Sequence, residues 1–245
     1  MFTRVVLLAG VFALAAAGVP AVGQMKKAAP PKYNVQKAQA AQQALFNAGC
    51  RFGFEKDNKD VWFGHVRMVT FPANTADADF AKAVPHLANL PALTGLDLGN
   101  TKITDTGTAR LAKLPKLEAL YLDNLTVTAE TFHTLAGLPA LQWLVLHQHD
   151  HQFGTRRSTA DGAPPVLTRA GLEALGACTA LTHLEVNLPP GLGLAPLGRL
   201  TELAHLSVSV PAATTDADLA PFAAATRLQE LHLVGGTGLT GAALA

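Results

Sequence analysis

One pattern recurs along this chain and limits what it can fold into: an apolar residue, two variable positions, an apolar residue, one variable position, an apolar residue. It reads Leu93/Leu96/Leu98, Leu117/Leu120/Leu122, Leu141/Leu144/Leu146, Leu181/Leu184/Val186, Leu203/Leu206/Val208 and Leu228/Leu231/Leu233, with Val66/Val69/Phe71 as a degenerate first copy. The starting positions advance by 27, 24, 24, 40, 22 and 25 residues. A period near 24 marks stacked supersecondary units, each too small to bury its apolar side alone. Within a copy, alternation puts Leu96 and Leu98 on one side of a short strand and Gly95 and Asp97 on the other. Leucine carries this pattern, at about 38 of the 245 residues, roughly twice its usual share.

The second half of each unit repeats as well. Ile103-Thr104-Asp105-x-Gly107 matches Leu167-Thr168-Arg169-x-Gly171, and Thr215-Asp216 and Thr75-Ala76-Asp77 take corresponding places. A Thr or Asp there caps a helix by accepting from free backbone N–H groups. Apolar residues then recur at a spacing of three, as in Leu111/Leu114, Phe132/Leu135/Leu138, Leu172/Leu175/Cys178, Leu194/Leu197/Leu200 and Leu219/Phe222/Ala225, one buried stripe of a short helix. Pro91, Pro115 and Pro139 end the stripe. The expected fold class is α/β: a parallel sheet on the concave side of a solenoid and helices on its convex side. Cys178 takes the slot of Leu90, Leu114, Leu138 and Leu200, so it is expected in the core. Cys50 lies several units upstream. Units advance by about 4.8 Å, and a disulfide needs Cα atoms within about 7 Å, so the two cysteines are not expected to pair.

The unit Leu93-x-x-Leu96-x-Leu98-x-x-Thr101-x-Ile103-Thr104-Asp105 resembles a leucine-rich repeat, of the bacterial exported type and, more distantly, the ribonuclease-inhibitor-like group with a helix per unit. The resemblance covers about residues 61–245. It implies a right-handed β-α superhelix and a protein-interaction scaffold; the periodicity alone implies only a solenoid. One departure stands out. The family often places Asn just after the strand, where this chain has Thr101 and then Leu125.

The ends read differently from the repeats. Arg4 followed by the apolar run Val5 to Ala17 reads as a secretory signal over residues 1–23, with cleavage before Gln24 or, as a rival, after Ala17. The chain is then exported to the periplasm, cell envelope or medium. The alternative is an uncleaved anchor, since the uncharged stretch Val5 to Gln24 is about the length that spans a bilayer. Residues 24–34 read as a linker and residues 35–65 as an N-terminal cap. That cap comprises a helix from Val35 to Ala48, a strand with Cys50, Phe52 and Phe54 alternating, a turn at residues 57–60, and a second strand from Val61 to Val66. About seven repeats fill residues 66–245. No C-terminal cap is evident, and order is expected to fall after about Gly235.

The 40-residue step contains an insertion at 147–165, leaving from the end of a concave strand. It opens with His147-Gln148-His149-Asp150-His151, where His147, His149 and His151 are candidate metal ligands on one side of an extended segment. The same residues also suit a solvated polar loop. From the register, the first outward row is Met68, Gly95, Ala119, Trp143, His183, His205 and Glu230, and the second is Thr70, Asp97, Tyr121, Val145, Glu185, Ser207 and His232. The partner-binding candidates are Asp97, Tyr121, Trp143, His183, Glu185, His205 and His232. An aromatic on the inner face is a hot-spot candidate, or else packs against the insertion.

Charge and motifs exclude other classes. The formal net charge is +1, but five basic residues and no acid fall within residues 1–37, leaving 14 basic against 18 acidic residues after position 37. A mildly acidic domain lacks the clustered Lys/Arg that nucleic acid demands. There is no G-x-S-x-G elbow, P-loop, H-E-x-x-H or C-x-x-C, and Gly235-Gly236-Thr237-Gly238 reads as a turn. The expectation is a non-catalytic module without cofactor, binding a protein or other macromolecule. The alternatives are a metal-binding role for the histidine loop, or a structural envelope component assembling through the uncapped end.

Overall fold

The computed structural model describes residues 4–8, 33–54, 66–125, 127–146 and 167–240. They form one nine-stranded sheet: β1 (Arg4–Leu8), β2 (Arg51–Phe54), β3 (Val66–Thr70), β4 (Gly95–Asp97), β5 (Ala119–Tyr121), β6 (Trp143–Leu146), β7 (His183–Asn187), β8 (His205–Val210) and β9 (Glu230–Gly235). The order is β1-β9-β8-β7-β6-β5-β4-β3-β2, so each repeat strand lies beside the strand one unit away in sequence. β3 to β9 pair in parallel, β2 pairs antiparallel with β3, and β1 adds in parallel to the edge of β9. Arg4–Leu8, within the segment read as a leader, thus lies on the edge expected to carry no cap.

The pairing register matches the leucine pattern. Leu96 stands opposite Val69 and Leu120, and Leu144 opposite Leu120 and Leu184. These residues share one core with the stripe residues Phe80, Leu111, Phe132, Leu172, Leu197 and Phe222. That core excludes water along the whole described repeat region, and burying each such side chain contributes about 1.5–3 kcal/mol. Cys178 and Cys50 are both buried free thiols, with Cys178 Sγ 3.7 Å from the Phe132 carbonyl.

The N-terminal helix α1 (Val35–Asn47) starts where the Asn34 side chain accepts from the Lys37 N–H, and buries Ala38, Ala41 and Leu45. Gly49, at φ +83°, turns the chain into β2. Ala48, expected on the buried face, is exposed. The partner of β2 is the first repeat strand itself; residues 61–65, expected as a separate returning strand, lie outside the described residues. At the other end, residues 236–240 continue the repeat, where fraying was expected. Thr237 N–H donates to the Ala212 carbonyl, and Thr240 N–H donates to Asp216 Oδ1 at 2.9 Å.

The helices are α2 (Asp77–Leu87), α3 (Asp105–Thr108), α4 (Ala129–Ala136) and α5 (Arg169–Leu175); 3-10 helices occupy Ala109–Lys113, Ala195–Arg199 and Asp216–Ala224. Thr104 and Thr168 cap as the sequence predicts, each accepting a backbone N–H through its hydroxyl, and Thr128 does the same. Thr75 does not. Ala76 takes the cap position, and the Thr75 hydroxyl donates to the Pro72 carbonyl. The helix expected in the last two units is 3-10, and these segments run close to their neighbours. An added Cβ on Gly198 would lie 2.5 Å from Pro221 Cβ and 2.6 Å from its carbonyl oxygen.

A polar ladder ties successive units together. Asp77 accepts from the Thr104 N–H and hydroxyl at 2.8 and 2.6 Å. Asp105 accepts from the Thr128 N–H at 2.9 Å and the Thr131 hydroxyl at 2.6 Å. Burial pushes the Asp105 carboxyl up, but the bonds from Thr128 and Thr131 outweigh it and hold it below the usual carboxylate range. A second ladder follows the strands: Asn100 and Asn124, at φ 61° and 57°, are joined by a 2.7 Å side-chain bond. The asparagine missed in the sequence sits one position before Thr101 and Leu125.

Candidate functional site

The sheet face opposite the leucines carries the two outward rows. Their residues are register partners along β3 to β9: Met68–Gly95–Ala119–Trp143–His183–His205–Glu230, and Thr70–Asp97–Tyr121–Val145–Glu185–Ser207–His232. Equivalent side chains on neighbouring strands lie about 5 Å apart, so the seven candidates Asp97, Tyr121, Trp143, His183, Glu185, His205 and His232 share one surface. Two row positions are closed. The Met68 side chain covers Gly95, approaching within 2.6 Å of where a Cβ would stand, and Val145 is buried between Tyr121 and Glu185.

The centre of the face is a stack of flat rings. Trp143 and His183 lie 4.2 Å apart, centroid to centroid, at 11°. His183 and His205 follow at 4.3 Å and 14°. His205 Nδ1 is 3.0 Å from Glu230 Oε2, and His232 Nε2 is 3.8 Å from the same oxygen. Burial, and then the His205 imidazole, push His183 down to about 4, so its ring is neutral at physiological pH. Glu230 joins this group although the sequence candidates do not include it; its place in the outward row, one strand beyond His205, is the signal for it.

Tyr121 stands among carboxylates. Burial first, then Glu185, Asp97 and Asp123, raise its hydroxyl to about 12. It is therefore a neutral hydrogen-bonding group and no proton acceptor. Asp97 Oδ1 accepts from the Gly99 N–H at 2.9 Å, which fixes that carboxylate at the end of β4. At the start of the strands, Arg67 and Glu118 approach to 4.0 Å, and burial raises the Glu118 carboxyl despite that guanidinium.

The thiols offer no nucleophile, because burial raises Cys50 to about 11 and Cys178 to about 12. Only the thiolate attacks. Among the described residues, no three His, Cys, Asp or Glu side chains are placed to hold a metal ion. His147, His149 and His151 lie outside the described residues. Among the described residues no helix is long and apolar enough to cross a membrane. A shallow cleft of about 230 Å³, lined by Leu87, Leu90, Pro91, Leu114, Pro115 and Leu117, lies between the returns of two adjacent units, away from the rows.

A leucine triplet, a parallel strand, a capped helical return and an asparagine turn recur in register. These units are leucine-rich repeats. The chain matches no protein-family model and no curated protein sequence. It is similar to solved structures of the same repeat type. An internalin (inlF) from Listeria monocytogenes is 22% identical with a TM-score of 0.39, the match covering 62% of this chain and 44% of that one. An internalin C2 from the same organism is 20% identical with a TM-score of 0.39, covering 69% of this chain and 71% of that one. The HAESA receptor kinase ectodomain from Arabidopsis, solved with a peptide hormone ligand, is 11% identical with a TM-score of 0.34, covering 82% of this chain and 42% of that one.

Proposed function

We propose that this chain is an exported, non-catalytic interaction module. Its repeats curve as a right-handed solenoid and bind a protein or other macromolecule on the concave face, the face carrying the two outward rows. The observation behind this reading is the Trp143–His183–His205 ring stack in the middle of the sheet, flanked by Tyr121, Asp97, Glu185 and His232. Packed aromatic surface ringed by polar groups is what binding hot spots are made of. The leucines and stripe residues are scaffold, and multi-strand surface recognition is the mechanism. The apolar run after Arg4 supports export.

The test is affinity capture from the native envelope fraction with the full chain as bait, followed by titration of the captured partner. Trp143→Ala is expected to lower affinity at least tenfold, with an unchanged far-ultraviolet spectrum. A Trp143→Ala chain of full affinity overturns the assignment of the partner to this face.

A further inference from the structure

We infer that the β9 edge is a strand-accepting site, and that its occupant is this chain's own leader segment, Arg4–Leu8, docked within the same molecule. The pairing is the first observation. β1 lies parallel to β9 through five consecutive register pairs: Arg4–Glu230, Val5–Leu231, Val6–His232, Leu7–Leu233 and Leu8–Val234. The repeat strands pair in the same sense, with His205 opposite Glu230 and Leu206 opposite Leu231. β1 therefore takes the place of one more repeat strand, and its sequence fits that place. Phe2-x-x-Val5-x-Leu7 has the spacing of Leu228-x-x-Leu231-x-Leu233. The register aligns the two patterns, so Val5 and Leu7 fall in the inward rows and Arg4 and Val6 in the outward ones. Arg4, the one charged side chain among the first 25 residues, stands in register with Glu230 and not with a leucine.

The edge itself suits a strand. β9 has six residues, Glu230–Gly235, with neither proline nor lysine to discourage pairing. Leu231 and Leu233 belong to the shared core, so a strand that continues their rows extends that core. Main-chain bonds supply the affinity of such strand addition, and alternate side chains supply its selectivity. Ladder polarity identifies the bonds. In the repeats an outward-row N–H donates to the preceding strand, from Trp143 to the Glu118 carbonyl, from His205 to Thr182 and from Glu230 to Ala204. By the same register the Val6 N–H faces β9.

Reach permits docking within one chain. β1 and β2 are the two edges of the sheet, eight strand spacings or about 38 Å apart. Residues 9–32, between β1 and the start of α1, can extend to about 80 Å. That tether makes the pairing intramolecular, so it outcompetes the same segment of another chain in dilute solution. These residues also open the apolar run Val5 to Ala17, by which a leader is recognised. They cannot lie on β9 and in an apolar receptor or bilayer at once. Folding thus withdraws the start of the leader, and loss of the leader opens the β9 edge.

The test is hydrogen exchange of the full chain, read by mass spectrometry. Residues 5–8 and 230–235 are expected to be protected together. Leu7→Asp puts a charge in the inward row, and Val6→Pro removes the ladder donor. Each is expected to lower the protection of residues 230–235 by about tenfold, while residues 95–98 and 119–122 keep theirs and report that the repeats still fold. Leu14→Asp, in the same apolar run but beyond β1, and Val6→Thr, at an outward position, leave that protection unchanged. Unprotected amides at residues 5–8, unchanged protection of residues 230–235 in either Leu7→Asp or Val6→Pro, or an equal loss in Leu14→Asp overturns the inference. So does protection of residues 5–8 that rises with chain concentration over about a hundredfold range, with dimers seen by light scattering, because a second copy then supplies the strand. None of these outcomes involves Trp143, so the concave-face reading stands or falls separately.

Discussion

Before residue 147 the repeat strands run from three to five residues and every return contains α-helix; after residue 166 the strands run five or six residues and two of the three returns are 3-10 helices. A 3-10 helix rises about 2.0 Å per residue against 1.5 Å for an α-helix and is narrower. The returns of the later units lie close together. A Cβ on Gly176 would stand 2.5 Å from the Pro196 carbonyl oxygen, and the Gly198–Pro221 approach is as tight. The earlier units are also linked by Asp77–Thr104 and Asp105–Thr128; in the later part Arg169 replaces Asp105, and Asp216–Thr240 restores the link at the last unit. The titratable half of the face, His183, His205, Glu230 and His232, stands on the longer strands. The difference teaches that a repeat of similar length can be divided between strand and return in more than one way.

The strongest way to break this comparison is to show that the two parts fold separately. Leu120→Ala and Leu206→Ala, both fully buried, are each expected to cost about 2–5 kcal/mol in urea unfolding. If the core is one unit, either variant shifts the whole transition; a biphasic curve in one of them would divide the molecule at the insertion. Gly198→Ala is next, at the upper end of about 1–3 kcal/mol, because the clashing Pro221 carbonyl is backbone and cannot rotate away. Gly137→Ala in the earlier part, whose Cβ would meet only the Thr134 oxygen at 3.3 Å, is expected to cost less. Equal shifts in melting temperature would refute the contrast in packing.

Asp105→Ala is expected to cost about 1–2 kcal/mol, by removing the acceptor of the buried Thr131 hydroxyl, itself 2.6 Å from the Thr108 hydroxyl. Near neutral pH the smallest effect is titration of His183. Its folded value of about 4 lies below the ordinary 6.5, so the unfolded chain binds the proton first. Stability is then unaffected above pH 6.5 and declines as pH falls from 6.5 toward 4. The groups facing it are Trp143 on β6 and His205 on β8, with Glu185 and Glu230 opposing the shift. His183→Gln should flatten that part of the stability profile relative to the parent chain; parallel profiles would contradict the neutral, sandwiched ring.

Much of the face was legible in the sequence because strand periodicity is local. Once Leu181, Leu184 and Val186 point inward, His183 and Glu185 have nowhere to point but outward, and the pairing register agrees. The strict three-residue spacing of Leu194/Leu197/Leu200 is also the 3-10 period, a signal available but read simply as a helix. Asn100 and Asn124 stand one position before the slot in which the family pattern places asparagine, so the pattern alone does not mark them, although asparagine is among the few residues that tolerate positive φ.

Sequence alone determined the repeat unit, the inward leucines and the two outward rows, since each depends on the chirality and alternation of a single strand. Tertiary structure alone decided that Met68 closes over Gly95, that Val145 is buried, and that Trp143, His183 and His205 stack with Glu230 at the end. Those contacts join residues 22 to 40 positions apart, and ring planes follow from the neighbours met across the sheet rather than from the residues beside them in the chain.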